Sequence, residues 1–114
     1  MLPKKQRLKK ELDFKRVFRK GIIVRGILMD LRIIKNELGA RRFGFVVSLK
    51  AAGKAVTRNR IRRYLAQAAK DCLGGISGGY DIAVIAKPLI INKSLSEISG
   101  DFRSILKKSK IFND

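Results

Sequence analysis

At 114 residues the chain is long enough for one domain, and a 46% hydrophobic fraction can fill its core. Lysine and arginine outnumber aspartate and glutamate by 27 to 9, a formal charge of +18, which leaves few partners: nucleic acid first, an anionic membrane second. Histidine is absent and there is one cysteine, so the usual neutral-pH general base, a zinc site and an internal disulfide are all excluded.

The opening Met1-Leu2-Pro3-Lys4-Lys5 lacks the apolar run of a secretory signal, and no stretch reaches membrane-spanning length. A cytoplasmic protein is expected. Residues 1–12 read as a basic arm that stays mobile until nucleic acid orders it. Asp13 is a candidate N-cap for a two-turn helix over Phe14–Lys20, with Gly21 as a left-handed stop and Leu12 stapled onto Val17. Phe14, Val17 and Phe18 share one face of that helix. The two phenylalanines either fill the core or stack on unpaired bases, and their spacing leaves both open.

Ile22–Val24 is a short apolar run. From Ile27 to Ile34 the odd positions are all apolar, with Asp30 and Arg32 opposite, which predicts a strand with one buried side. Asn36–Arg42, around Leu38-Gly39, reads as a hairpin connection to a further strand over Phe43–Leu49. That strand has Gly44, Val46 and Ser48 on one side, a flat surface suited either to a packed helix or to an extended single strand.

Lys50–Tyr64 carries six basic residues, and no acid lies between positions 38 and 70. Gly53 supplies the turn into a helix whose Ile61, Leu65, Ala68, Ala69 and Cys72 recur at helical spacing, so the charge sits on a rigid platform. Asn59, Arg60, Arg63 and Gln67 fall opposite that stripe, Arg62 flanks it, and Arg58 lies near its apolar side, where it can reach past the sheet edge. The free N–H groups of the helix N-terminus favour phosphate as well. Cys72 is expected to be a buried thiol. The glycine-rich Leu73–Gly79 loop is not followed by Gly-Lys-Ser/Thr, which argues against a nucleotide-binding loop.

Tyr80–Ala86 is apolar apart from Asp81 and predicts a strand covered on both faces, ended by Lys87-Pro88. Ser94–Glu97 is a capping-box pattern opening a last helix, whose apolar stripe is Leu95, Ile98, Phe102, Ile105 and Leu106. The nearest acid pairs, Glu11/Asp13 and Glu97/Asp101, read as cap or helix-surface residues, so no two-metal nuclease is indicated. Any catalysis would draw its reacting groups from a partner.

Arg58-Asn59-Arg60-Ile61-Arg62-Arg63 resembles the Arg-Asn-Arg signature of the protein subunit of bacterial ribonuclease P. Three blocks in matching order support it: Leu8-Lys-Lys with Asp13–Gly21, Arg42–Phe45 leading into Ser48, and Tyr80–Pro88. The resemblance spans nearly the whole chain and implies one α+β domain over residues 1–114. Its expected fold is an α-β-β-β-α-β-α sandwich with a left-handed strand-helix-strand crossover, against the usual right-handed rule.

The resemblance also implies a function. The family's catalyst is a large RNA that, with magnesium, hydrolyses precursor tRNA to release its 5′ leader. Lys54, Arg58, Asn59, Arg60, Arg62 and Arg63 would dock on that RNA. Phe14, Phe18, Arg32, Ser48, Lys50 and Lys87 would line a cleft for the leader. No residue of the chain is assigned to catalysis or metal binding, and neither a membrane nor a small-molecule substrate is implied. Leu49 stands where many relatives are basic, and Arg32 where an aromatic is frequent, so the cleft would hold its leader more by charge than by stacking. On charge alone, a ribosomal or general RNA-binding protein is the alternative, and a stand-alone nuclease a weaker one.

Overall fold

β4 (Tyr80–Ala86) is apolar on both faces apart from Asp81, and it takes the central position that such a strand requires. The other strands are β1 (Ile22–Arg25), β2 (Met29–Lys35) and β3 (Arg41–Val46), and the sheet order is β1-β2-β4-β3. The helices are α1 (Glu11–Lys20), α2 (Ala55–Cys72) and α3 (Leu95–Ser109). This computed structural model describes residues 2–112.

β1 and β2 pair antiparallel, as do β2 and β4, whereas β3 and β4 run parallel and are joined through α2. The expected hairpin across Asn36–Arg42 therefore does not form, because β4 inserts between β2 and β3. Asn36 instead closes the β2 end against the loop before β4, its N–H donating to Gly79 O at 2.7 Å. The only hairpin among the described residues joins β1 to β2.

Residues of one pleat face, Met29, Leu31, Ile33, Phe43, Ile82 and Val84, pack with α2 and α3 into the main core. α2 contributes the predicted Ile61, Leu65, Ala68, Ala69 and Cys72 stripe, and α3 contributes Ile98, Phe102, Ile105 and Leu106. Burial raises the pKa of the Cys72 thiol, as a structural cysteine requires. The capping box of α3 is formed: Ser94 Oγ accepts from Glu97 N at 3.1 Å, and Glu97 Oε1 accepts from Ser94 N at 3.2 Å. Asp101 is more than surface, since it accepts from the Ile27 and Leu28 N–H groups of the β1–β2 turn.

The opposite face carries α1 over a smaller cluster of Leu8, Val17 and Ala83. Four local expectations change here. The helix begins at Glu11, and Asp13 turns its carboxylate to Arg42 rather than capping. Leu12 is 77% exposed and staples nothing. Gly21 is extended (φ −71°), and glycine is required there because a Cβ would stand 2.4 Å from Val17 O and 3.1 Å from Ile33 O. The arm is seated rather than free: Leu2 and Leu8 are buried, and Leu8 N donates to Phe43 O at 2.7 Å. That contact covers the outer edge of β3, which would otherwise present unpaired backbone groups. Met1 lies outside the described residues.

Candidate nucleic-acid interface

α1 crosses the sheet from β3 to β2, and a buried carboxylate fixes its position. Asp81 is fully buried and takes both donor arms of Arg42, Nε to Oδ1 at 2.8 Å and Nη2 to Oδ2 at 2.7 Å. Asn36 Nδ2 donates to Oδ1 at 2.7 Å, and Arg16 reaches Oδ2 at 3.5 Å from α1. Arg42 also meets Asp13 on α1, and Arg16 donates to Lys35 O at 2.6 Å. The hydrogen bonds from Arg42 to Asp81 raise the arginine's pKa further above its ordinary value. Sequence reading missed this network. Its one visible signal was a lone acid inside an otherwise apolar strand.

These ties hold one flank of α1, and Phe14 and Phe18 line the other. Beside them the sheet face is only half-covered: Asp30, Arg32, Val46 and Ile85 are neither buried nor fully exposed. Register places Asp30 opposite Ile85 and Ile85 beside Val46, so these residues form a strip running across three strands. Phe14 lies over Gly44, where a Cβ would come within 2.3 Å of its ring. It is a wall of the strip, packed on the small Leu8–Val17–Ala83 cluster. Phe18 is the more open of the pair, 38% exposed, with the Arg32 guanidinium 5.3 Å from its ring centroid. Arg32 Nη1 also donates to Phe18 O at 2.8 Å, so the cation and the ring present one joint surface.

Ser48, Lys50 and Lys87 fall at one end of this strip, because β3 and β4 are parallel and all three residues follow their C-terminal ends. Ser48 is exposed and shapes the loop, its carbonyl accepting from Ala51 N and Ala52 N. Lys50 is exposed. Lys87 is already engaged, donating to Gly26 O at 2.6 Å and pairing with Asp30 at 2.9 Å. Its charge at that end is largely compensated.

The loop then leads through Lys54, exposed at the N-cap of α2, into the arginine-rich turns. No acid occupies the first turn of this helix. Arg58 folds back on the loop, Nη1 donating to Ala52 O at 3.0 Å and Gly53 O at 2.9 Å. It clamps the approach to the helix and does not extend past the sheet edge. Asn59 Oδ1 accepts from Arg62 at 2.8 Å, which orders that guanidinium at the surface. Arg63 is exposed and Arg60 half-buried. The twelve predicted site residues thus form two neighbouring surfaces, an open half-sheet beside α1 and the basic turns of α2, joined by the Ser48–Lys54 loop.

A cationic helix beside an open half-sheet suits RNA, and sequence comparison decides the family. The Ribonuclease P family model matches residues 2–110. The chain belongs to the ribonuclease P protein family. It is 33% identical over 112 residues to the ribonuclease P protein component of Syntrophomonas wolfei, covering 98% of this chain and 93% of that one. The Pseudanabaena protein component is 33% identical, with 99% and 98% covered. The Staphylococcus aureus RNase P protein structure superposes with a TM-score of 0.86 at 33% identity, covering 95% of this chain and 98% of that one. The Thermotoga maritima RNase P protein gives 0.81 at 26% identity, with 90% and 96% covered. These likenesses place the α+β sandwich within the ribonuclease P protein family. Among the described residues no helix is long and apolar enough to cross a membrane.

Proposed function

We propose that this chain is the protein subunit of a ribonuclease P holoenzyme, an endoribonuclease that removes the 5′ leader of precursor tRNA in the cytoplasm. In this reading Lys54, Asn59, Arg60, Arg62 and Arg63 dock on the catalytic RNA, and Arg58 holds the loop that presents them. Phe18 and Arg32 receive the leader on the open half-sheet, with Phe14 as its wall and Ser48 and Lys50 at its end. The observation that carries the proposal is this pairing of a helix whose first turns are basic and free of acids with an open, half-apolar strip on a chain of this family.

Hydrolysis of the phosphodiester is assigned to the RNA subunit, with magnesium bound by RNA and substrate. Of the chain's carboxylates near the half-sheet, Asp30 and Asp81 are committed to Lys87 and Arg42. The protein's part is electrostatic and positional. It neutralises phosphate where two RNAs meet and holds the leader in register.

Reconstitution with a bacterial ribonuclease P RNA at low magnesium tests this. The protein is expected to stimulate 5′ leader removal and to cleave nothing alone. Absence of stimulation overturns the reading.

A further inference from the structure

A groove of about 450 Å³ lies between the N-terminal segment, the outer edge of β3 and α2. That volume falls in the range of small-ligand sites, roughly 300–1,000 Å³. Leu8, Phe14, Phe45 and Ala66 give it an apolar floor, and Arg7, Lys9, Arg62 and Arg63 stand around it with no acid among the lining residues. It is separate from the open half-sheet, on the far side of Phe14.

Two features show that this groove needs a polar occupant as well as an apolar one. Arg7 Nε is buried and has no acceptor among the described residues, a state that costs free energy until something bonds it. The backbone of β3 adds the second. Phe43 O faces the N-terminal segment and accepts from Leu8 N, so alternation along the strand turns the Phe45 N–H and C=O to the same edge. No neighbouring segment among the described residues bonds them. An N–H and a C=O side by side on an apolar floor match the polar edge of a nucleobase, and the surrounding cations match its phosphate.

We propose that this groove takes one unpaired nucleotide of the RNA that docks on α2, its base against Phe45 and its phosphate between Arg7, Arg62 and Arg63. The occupant belongs to the catalytic RNA and not to the leader, because the groove shares Asn59, Arg62 and Arg63 with the docking helix while Phe14 walls it off from the half-sheet. The assignment to that RNA rests on the function proposed above. The nucleotide site itself does not.

The test therefore has two arms. In the first, the free protein is titrated with AMP and with ribose 5-phosphate, and backbone amide shifts are followed by NMR. AMP is expected to move the Phe45 amide and ribose 5-phosphate is not. Ala66→Leu, which fills the groove without altering charge, is expected to abolish the AMP response while keeping the native spectrum elsewhere. Equal responses to both ligands, or an AMP response that survives Ala66→Leu, overturn the site. Should Ala66→Leu fail to fold, Ala66→Val serves the same comparison.

In the second arm the holoenzyme is assembled with Ala66→Leu or the native chain. Affinity for the catalytic RNA is expected to fall about tenfold, the order of one lost base stack, with the salt dependence unchanged. Discrimination between leader-bearing and mature tRNA is expected to stay as it was. Loss of that discrimination with intact RNA affinity would assign the groove to the leader and overturn the proposed occupant. If the native chain gives no holoenzyme but AMP still shifts Phe45, the functional reading fails while the nucleotide site stands.

Discussion

Arg42 grips both carboxylate oxygens of Asp81, which is fully buried beneath α1. The pair joins β3 to β4, and through Asp13 and Arg16 it reaches the helix above. Removing the cation would leave a buried charge with weaker compensation, a change that costs about 3 kcal/mol or more. Arg42→Ala is expected to lose stability of that order in urea unfolding and to lower hydrogen-exchange protection in α1 more than in α3. A loss under 1 kcal/mol would mean that Arg16 and Asn36 suffice.

Gly44 is needed because Phe14 occupies the space of its missing side chain. Gly44→Ala is expected to displace the ring and cost about 1–3 kcal/mol. In a Phe14→Ala background the same change should cost little, since the clash has gone. A double-mutant cycle measures this coupling directly, and additive losses would show that the ring yields freely.

Phe18 and Arg32 form the exposed half of the half-sheet wall. Phe18→Ala is expected to weaken leader-bearing precursor about tenfold, the order of one base stack, and to leave mature tRNA unaffected. Equal loss for both substrates would make the ring a packing element only.

Arg58 and Arg60 are two residues apart, yet they are expected to fail differently. Arg60→Ala should lower the log–log salt slope of RNA binding by about 0.7–0.9, one phosphate contact, at unchanged melting temperature. Arg58→Ala should lower the melting temperature as well, because two loop carbonyls lose their donor. If both leave the salt slope unchanged, neither side chain meets a phosphate.

Glu97 is held below the ordinary carboxylate range by the Ser94 backbone N–H, with further help from the Ser94 side chain and Lys93. A depressed carboxylate contributes stability above its unfolded value, about 4.3, and that contribution fades as pH falls through the folded value. Glu97→Gln is expected to flatten the acid limb of α3 stability, followed by exchange of its first-turn amides. An unaltered acid limb would show that Ser94 alone caps the helix.

Much of this molecule was legible because the determinants are local. The α3 stripe and its capping box, the α2 stripe with its basic turns, and the alternating core faces of β2 and β3 follow from spacing alone and are found in the fold, except that Leu95 is only half-buried and the strands exclude Ile27 and Leu49, which are exposed. Apart from the ends of α1 and of the strands, the misreadings share one cause: each concerned what lies beside an element and not what the element is. Asn36–Arg42 has the composition of a hairpin turn, yet nothing near it in sequence announces that β4 will part β2 from β3. Leu2 and Leu8 become informative only when the edge of β3 is there to be covered.

The two candidate surfaces divide in the same way. Sequence by itself determined that a helix with cationic, acid-free first turns would stand on a core stripe, because charge and 3.6-residue periodicity are written into consecutive residues. Only the tertiary structure decided which phenylalanine is a wall and which is open. It also put Lys87 in a pair with Asp30 and Arg58 onto its own loop, and gathered Arg7, Phe45 and Arg62 around one groove. Those outcomes depend on distances between residues far apart in the chain, and strand register, not local pattern, sets such distances.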